Sequence, residues 1–294
     1  MWSSLILSVA AIAVYRLVSS RASKVAASYA NKSVVIIGAS SGIGKFLALA
    51  YAKMGAQLFV VARREPRLQE LVAECASLHS ECTAQYSVVD ITISSNRLRL
   101  IREIGLWLGP HKGLDVLVLN AGIMDVSPFA EIDSDVVEKV TRQIFETNTL
   151  APIALTHLFL PFLIKNPVPS TICVLSSIAG KIPAPTRTLY CGSKFALQGF
   201  FQSLAIELEA HAVRICLVCP GRVSGTELRS SGEQSSDTDS DGLRPQTVAS
   251  ETIKAVHEGK NIVYLPKMYF WVELLQLFAP KTVGALAKAK YNFK

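Results

Sequence analysis

Charged residues are scarce in this 294-residue sequence: Asp, Glu, Lys and Arg make up 18% of it, whereas half of the residues are hydrophobic. That balance is apolar for a soluble enzyme. The formal net charge is +7, but no basic run has interleaved aromatic residues, so we expect no nucleic-acid partner. Basic residues are scattered or gathered near an N-terminal apolar segment, which suits an anionic membrane surface better.

A disulfide framework is also missing, and a chain of this size does not need one. The six cysteines include Cys216 and Cys219, whose spacing is that of a metal-binding pair. They lie in an apolar run typical of a strand, where residues three apart face opposite sides, so they cannot hold one ion. We therefore expect core cysteines and no metal site.

The N-terminal apolar segment, residues 2–18, is interrupted only by three serines and Arg16. Its length is near the short limit for a membrane span. Positive charge follows the segment instead of preceding it, which favours an uncleaved anchor over residues 1–20 with the catalytic body in the cytosol. A removed signal sequence and a helix lying on the membrane surface are the alternatives.

Beyond the anchor, short apolar runs alternate with helical stretches, and we find no internal linker or repeat. The predicted strands are 34–37, 57–61, 84–89, 114–119, 171–175, 213–218 and 262–265, and the helices are 43–54, 66–78, 95–108, 134–165, 188–210 and 247–257. This alternation predicts an α/β fold: a Rossmann-like, doubly wound parallel sheet forming a single domain over residues 32–266.

A glycine-rich turn follows the first strand, with Gly38, Gly42 and Gly44 ahead of a helix. Glycine lets the backbone approach a pyrophosphate, and the helix N-terminus offers N–H groups to it. The second strand ends in Arg63 and Arg64, where an acidic side chain would select NAD. Arginine there, with the Ser40 hydroxyl, suits a 2′-phosphate, so the pattern favours NADP(H).

Small or polar residues also end the third to sixth strands: Asp90, then Asn120-Ala121-Gly122, then Ser176-Ser177, then Pro220-Gly221. Ligands of open α/β sheets bind outside the carboxyl ends of the strands. Further on, Tyr190 and Lys194 are four apart in a helical pattern and so share a face. An ammonium beside a phenol is expected to lower the pKa of the phenol, making a proton donor and acceptor.

Together these motifs resemble the short-chain dehydrogenase/reductase family over nearly all of residues 32–266. The resemblance implies that Tyr190 is the general acid/base and that Lys194 lowers its pKa and holds the nicotinamide ribose. It implies that Ser177, rather than Ser176, orients the substrate carbonyl, and that Asn148 keeps the water of a proton relay in place. The implied cofactor-binding residues are Gly38, Ser40, Ser41, Gly42, Ile43, Gly44, Arg63, Arg64, Asp90, Ile91, Asn120, Ala121, Gly122, Tyr190, Lys194, Pro220, Gly221 and Val223.

One position departs from the family pattern. The family often has Val-x-Thr after Pro-Gly, to hold the carboxamide of the cofactor, whereas this chain has Val223-Ser-Gly-Thr226. Either Ser224 or Thr226 takes that contact, or a local bulge restores the register.

Within the family, the chain is most similar to the membrane-anchored branch that contains the 11β-hydroxysteroid dehydrogenases. That resemblance implies an endoplasmic reticulum enzyme that interconverts a carbonyl and a secondary alcohol on a lipophilic, steroid- or retinoid-like substrate. The chain also resembles the 3-ketodihydrosphingosine reductases of sphingolipid synthesis. An inactive cofactor-binding scaffold on the membrane is the non-enzymatic alternative.

Two remaining segments lie outside these motifs. Residues 229–246 have a single apolar residue, Leu243, and fall where the family has its substrate lid; a surface insertion is the other interpretation. Residues 267–294 combine aromatic and apolar groups with lysines, which suits an amphipathic tail on membrane lipid. A homodimer contact is the competing explanation.

Overall fold

The computed structural model describes residues 29–228 and 242–293. Within them, seven strands form one sheet in the order β3-β2-β1-β4-β5-β6-β7, and every pair of neighbours is parallel. The strands are β1 (Ser33–Ile37), β2 (Gln57–Ala62), β3 (Thr83–Val88), β4 (Val116–Leu119), β5 (Ser170–Leu175), β6 (Val213–Pro220) and β7 (Ile262–Leu265). The strand order reverses between β1 and β4, which confirms the predicted doubly wound, Rossmann-like single domain.

Helices cover both faces of the sheet. They are α1 (Gly42–Ala52), α2 (Glu65–Leu78), α3 (Ser94–Leu108), α4 (Ser134–Phe145), α5 (Ala151–Ile164), α6 (Thr188–Glu207), α7 (Pro245–His257), α8 (Tyr269–Phe278) and α9 (Pro280–Tyr291). Short 3₁₀ turns lie between some of them. Apart from the helix predicted over 134–165, the predicted elements agree with the observed ones in type and order, with ends that differ by a few residues; α8 and α9 lie in the segment predicted as an amphipathic tail.

The two cores follow from the alternation of side chains along the strands. In β1, Val34 and Ile36 face a core shared with α1, α2 and α7, whereas Val35 and Ile37 face a core shared with α3, α5 and α6. All four side chains are buried. Because both faces are covered, the central strands are almost continuously apolar, which is why they stand out in the sequence.

The single long helix predicted over 134–165 is interrupted. A π-helical turn, Glu146–Leu150, joins α4 to α5. Residues 134–164 together are long and apolar enough to span a membrane, but Leu155, Phe159 and Leu163 are buried in the sheet core, so this is a core helix. The predicted anchor over residues 1–20 lies outside the described residues.

The chain ends in a helical hairpin, α8 and α9, which packs back onto the sheet. Tyr269 lies against Gly221 so closely that a Cβ at Gly221 would be 2.6 Å from its ring. The Glu273 carboxylate accepts a 3.1 Å ion-pair contact from Lys181, which follows β5. The hairpin is therefore fixed beside the carboxyl ends of β5 and β6.

Candidate active site

The predicted site residues gather at one edge of the sheet, because parallel strands all end there. Their places, strand by strand, are the β1–α1 turn for Gly38, Ser40, Ser41, Gly42, Ile43 and Gly44; the end of β2 for Arg63 and Arg64; the end of β3 for Asp90 and Ile91; the end of β4 for Asn120, Ala121 and Gly122; and the end of β6 for Pro220, Gly221 and Val223. Ser177 follows β5, and Tyr190 and Lys194 lie in the first turns of α6.

The glycine-rich turn is shaped so that side chains are excluded. Gly38 has a φ of +89°, and a Cβ there would be 2.6 Å from the Ala121 nitrogen. A Cβ at Gly44 would be 2.1 Å from the Gly38 carbonyl oxygen. Asn120 Nδ2 donates to that oxygen at 2.7 Å, so Asn120 holds β4 and the turn together at the switch point of the sheet.

The N-terminus of α1 opens onto this crevice. Ser41 precedes the helix in an extended conformation and its side chain does not cap it. Ser41 thus supplies no side-chain acceptor to the first N–H groups of the helix, and the helix dipole is positive there. The turn and helix fit the pyrophosphate of a dinucleotide.

Arg64 and Arg63 point to different partners at the end of β2. Arg64 donates from Nη2 to Ser40 Oγ at 2.9 Å and to Ser41 Oγ at 2.7 Å. Arg63 is exposed, and its positive charge interacts with the Asp90 carboxylate. Burial raises the pKa of Asp90, but hydrogen bonds from Thr92 and the charge of Arg63 outweigh burial and hold that pKa below its usual value.

Asn148 reaches the site because of the π-helical turn. It is fully buried; its Oδ1 accepts from the Ile123 nitrogen at 2.8 Å, and its Nδ2 donates to the Ile123 oxygen at 2.9 Å. Nδ2 also donates to Ser193 Oγ at 3.0 Å, and Ser193 Oγ donates to the Tyr190 carbonyl at 2.7 Å. Asn148 thus pins the loop after β4 against the start of α6.

Ser177 and Ser176 have distinct surroundings. Ser177 Oγ accepts from the Ala179 nitrogen at 3.1 Å, and the Ser177 hydroxyl acts on the Tyr190 phenol in the direction that lowers its pKa. Ser176 Oγ instead accepts from Gln198 Nε2 at 3.0 Å, in the core beside Cys219. Ser177 is therefore the serine that shares a site with the tyrosine.

Tyr190 and Lys194 are 6% and 3% exposed, so desolvation dominates their ionisation. Burial raises the pKa of Tyr190 to about 12, although the Ser177 hydroxyl opposes that rise. Burial lowers the pKa of Lys194 to about 8. The sequence predicted a depressed phenol pKa, but burial raises it instead. Lys194 does not offset burial, since its Nζ donates to the Leu175 carbonyl at 3.0 Å and lies 5.7 Å from the Tyr190 ring centroid.

Apolar groups surround the phenol. Tyr190 belongs to a small buried cluster with Ala179, Ala184 and Cys191, against which three half-buried side chains pack: Met124, Leu228 and Tyr291. Tyr291 comes from the end of α9, where the Arg187 guanidinium lies 4.3 Å from its ring centroid. The C-terminal hairpin thereby contributes to the wall beside Tyr190.

Several residues at this edge were missed by sequence reasoning. Ser193 was within the Tyr-x-x-x-Lys motif, and Arg67 follows Arg63 by one helical turn, so both had a local signal. Glu227, Leu228 and Tyr291 had none, because long-range packing brings them to the site. Thr226 lies over the glycine-rich turn, 3.4 Å from a Cβ built on Gly42, whereas Ser224 Oγ donates to the Leu243 carbonyl at 3.3 Å.

Comparison with known proteins identifies the family. Residues 32–237 match the model of the family described as short chain dehydrogenase. The chain belongs to the short-chain dehydrogenase/reductase family.

Relatives of this short-chain dehydrogenase carry more specific names. It is 41% identical over 179 residues to a hydroxysteroid 11-beta-dehydrogenase 1-like protein of Xenopus tropicalis, covering 61% of this chain and 59% of that relative. It is 31% identical over 250 residues to dehydrogenase/reductase SDR family member 7B of Bos taurus, covering 80% and 73%. The match to the Xenopus protein thus spans less than two thirds of that protein.

Solved structures agree with the fold. An alcohol dehydrogenase from the archaeon Thermococcus sibiricus, complexed with 5-hydroxy-NADP, superposes with a TM-score of 0.70 at 22% identity, covering 79% of this short-chain dehydrogenase and 95% of that chain. A metagenomic short-chain oxidoreductase in complex with NADP gives a TM-score of 0.66 at 25% identity, covering 81% and 97%.

Proposed function

We propose that this short-chain dehydrogenase/reductase is an NADP(H)-dependent enzyme that interconverts a carbonyl and a secondary alcohol on a lipophilic substrate. The observation that carries the proposal is the buried cluster of Ser177, Tyr190 and Lys194, set beside the dinucleotide turn and braced by Asn148. A scaffold that merely bound the cofactor would have no use for a proton donor beside it.

The residues at the sheet edge fit the cofactor. The turn from Gly38 to Gly44 leaves no room for side chains, as close passage of a pyrophosphate needs, and Arg64 with the Ser40 and Ser41 hydroxyls fits a 2′-phosphate. Lys194 would hold the nicotinamide ribose, and Thr226 is the better placed candidate for the contact left open after Val223. When bound, the nicotinamide supplies or accepts the hydride.

Side chains of the protein supply and accept the proton. With a pKa of about 12, the Tyr190 phenol is protonated at neutral pH and is ready to donate to a substrate carbonyl oxygen. Ser177 donates a second hydrogen bond to the same oxygen and so orients it. Lys194, still largely an ammonium at neutral pH with a pKa of about 8, stabilises the phenolate that remains.

The apolar wall around Tyr190 supports a lipophilic substrate, since Met124, Leu228 and Tyr291 offer hydrocarbon and ring surface next to the phenol. The name of the Xenopus relative points to the same class, because it refers to a hydroxysteroid. We therefore place a steroid- or retinoid-like carbonyl first and a ketosphingoid base second.

The decisive experiment is a screen of NADPH oxidation by full-length protein in mild detergent, with steroid, retinoid and ketosphingoid carbonyls. Oxidation with a steroid or retinoid supports the proposal, and selective oxidation with the ketosphingoid supports the sphingolipid alternative. NADPH binding without oxidation by any of the three would favour the scaffold.

We further propose that the protein is held at the endoplasmic reticulum membrane, by the segment 1–20 and by the C-terminal hairpin. The hairpin exposes a set of large apolar side chains to the outside: Met268, Phe270, Trp271, Leu277, Phe278 and Leu286. Glu273 is the only acidic residue of 267–294, and it turns inward to Lys181, so the exposed charges of the hairpin are lysines. That combination fits an anionic lipid surface.

Tryptophan fluorescence separates lipid from a homodimer contact. In a Trp2→Phe background, brominated lipids in reconstituted vesicles should quench Trp271, and Trp271→Phe should remove most of that quenching. Unquenched Trp271 with dimeric mass would support the dimer instead. For orientation, a glycosylation acceptor engineered into 229–246 should stay unglycosylated in microsomes if the body is cytosolic.

A further inference from the structure

Two arginines at the end of β2 hold a carboxylate from a distant part of the sequence. Both Glu227 oxygens accept from Arg67 Nη1, at 2.7 and 2.8 Å, and Glu227 Oε2 also accepts from Arg64 Nη1. The other terminal nitrogen of Arg64 donates to Ser40 and Ser41. One anion thus lies on two guanidinium groups beside the dinucleotide turn.

The backbone aims this carboxylate at the arginines. On one side of Glu227, Thr226 lies over Gly42 in the turn. On the other side, the Leu228 carbonyl accepts from the Met124 nitrogen at 3.0 Å, and the Leu228 side chain packs on the cluster around Tyr190. Because both neighbours are held, Glu227 is presented to the crevice and does not extend freely into solvent.

The surroundings of the carboxylate are those expected of a phosphate site. Guanidinium groups bind carboxylate and phosphate oxygens in the same forked geometry. The serine hydroxyls accept from Arg64, so their own protons are not used in those bonds and remain to be donated to an anion. A 2′-phosphate carries more negative charge than a carboxylate and can accept from every one of these groups.

We propose that the Glu227 carboxylate occupies the position of the cofactor's 2′-phosphate on Arg64 and Arg67, and that NADP(H), on binding, displaces it from these two arginines. This inference rests on the proposed NADP(H) dependence. Glu227 is then a competing anion built into the chain, and Arg67 is a phosphate-binding residue. NADH, which has no 2′-phosphate, binds without disturbing the pair.

The test is calorimetric titration of NADPH and NADH into full-length protein, with binding as the readout. Glu227→Gln removes the competing charge, so NADPH should bind about two- to tenfold more tightly, the range set by exposed ion pairs. NADH affinity should not change. Glu138→Gln is the control for the loss of one negative charge, because it removes the same charge from an exposed ion pair with Arg142 on α4.

Arg67 is tested in the Glu227→Gln background, where it no longer holds a carboxylate. There Arg67→Ala should weaken NADPH about two- to fivefold and leave NADH unchanged. Unchanged NADPH affinity would show that Arg67 binds no phosphate and would overturn its part of the proposal.

The remaining outcomes separate this inference from the proposed function. If the wild type prefers NADPH but Glu227→Gln leaves its affinity unchanged or weaker, the competing role of Glu227 is overturned and NADP(H) dependence stands. If the wild type prefers NADH, the proposed cofactor is wrong, and the inference fails with it.

Discussion

Replacing Tyr190 by Phe removes one oxygen from the candidate site and leaves the ring in place. The phenol is nearly fully buried, and the Ser177 hydroxyl acts to lower its pKa. The ring keeps its packing against Ala179, Ala184 and Cys191. The substitution therefore tests whether Tyr190 supplies the proton, and it should disturb the fold very little.

Two magnitudes follow. Loss of one buried polar contact costs at most about 0.5–1.5 kcal/mol of unfolding free energy, so the melting temperature should fall by no more than a few degrees. Loss of a general acid lowers turnover by about 10²–10⁴-fold. Since the ring stays in place and only the hydroxyl is lost, the Kd for NADPH should stay within about a factor of two of the wild-type value.

The assay pairs NADPH binding by calorimetry with NADPH oxidation using the best carbonyl from the screen. Tyr51→Phe is the control, because Tyr51 is also fully buried but packs edge-on against Tyr29 at the far end of α1. It should retain near-wild-type turnover. If Tyr190→Phe keeps a tenth or more of the wild-type activity while folded, Tyr190 is not the proton donor.

Three further predictions concern the cofactor, the proton and the hairpin. Arg64→Ala should weaken NADPH binding about 5- to 30-fold and leave NADH binding unchanged, since a half-exposed charged contact is worth about 1–2 kcal/mol. An equal loss of affinity for both cofactors in calorimetry would show that Arg64 does not contact the phosphate. The ammonium of Lys194 is present below its pKa of about 8 and lost above it, so NADPH affinity should fall as the pH rises past 8. An NADPH affinity that stayed constant up to about pH 10 would contradict this. Glu273→Ala removes the ion-pair partner of the nearly buried Lys181 ammonium, so the unfolding free energy should drop by about 1–3 kcal/mol. The drop would be measured as a lower melting temperature, and an unchanged melting temperature would mean that the pair does not hold the hairpin.

Sequence alone determined the α/β class, the succession of the seven strands and their helices along the chain, and the glycine-rich turn. The reason is local: strands covered on both faces must be almost wholly apolar, as Val34 to Ile37 are, and a turn with no room for a Cβ must be glycine, as at Gly44. Helical spacing likewise placed Tyr190 and Lys194 on one face. Such signals need no knowledge of distant residues.

Only the tertiary structure decided what long-range packing controls. Three features join residues far apart in the chain: the π-helical turn that places Asn148, the Glu227 carboxylate on Arg64 and Arg67, and the packing of Tyr291 against the cluster around Tyr190. The ionisation of the site was decided in the same way. Proximity of Lys194 predicted a lowered pKa for Tyr190, but burial raises that pKa to about 12, because desolvation depends on everything packed around the phenol and not on its neighbour four residues along the helix.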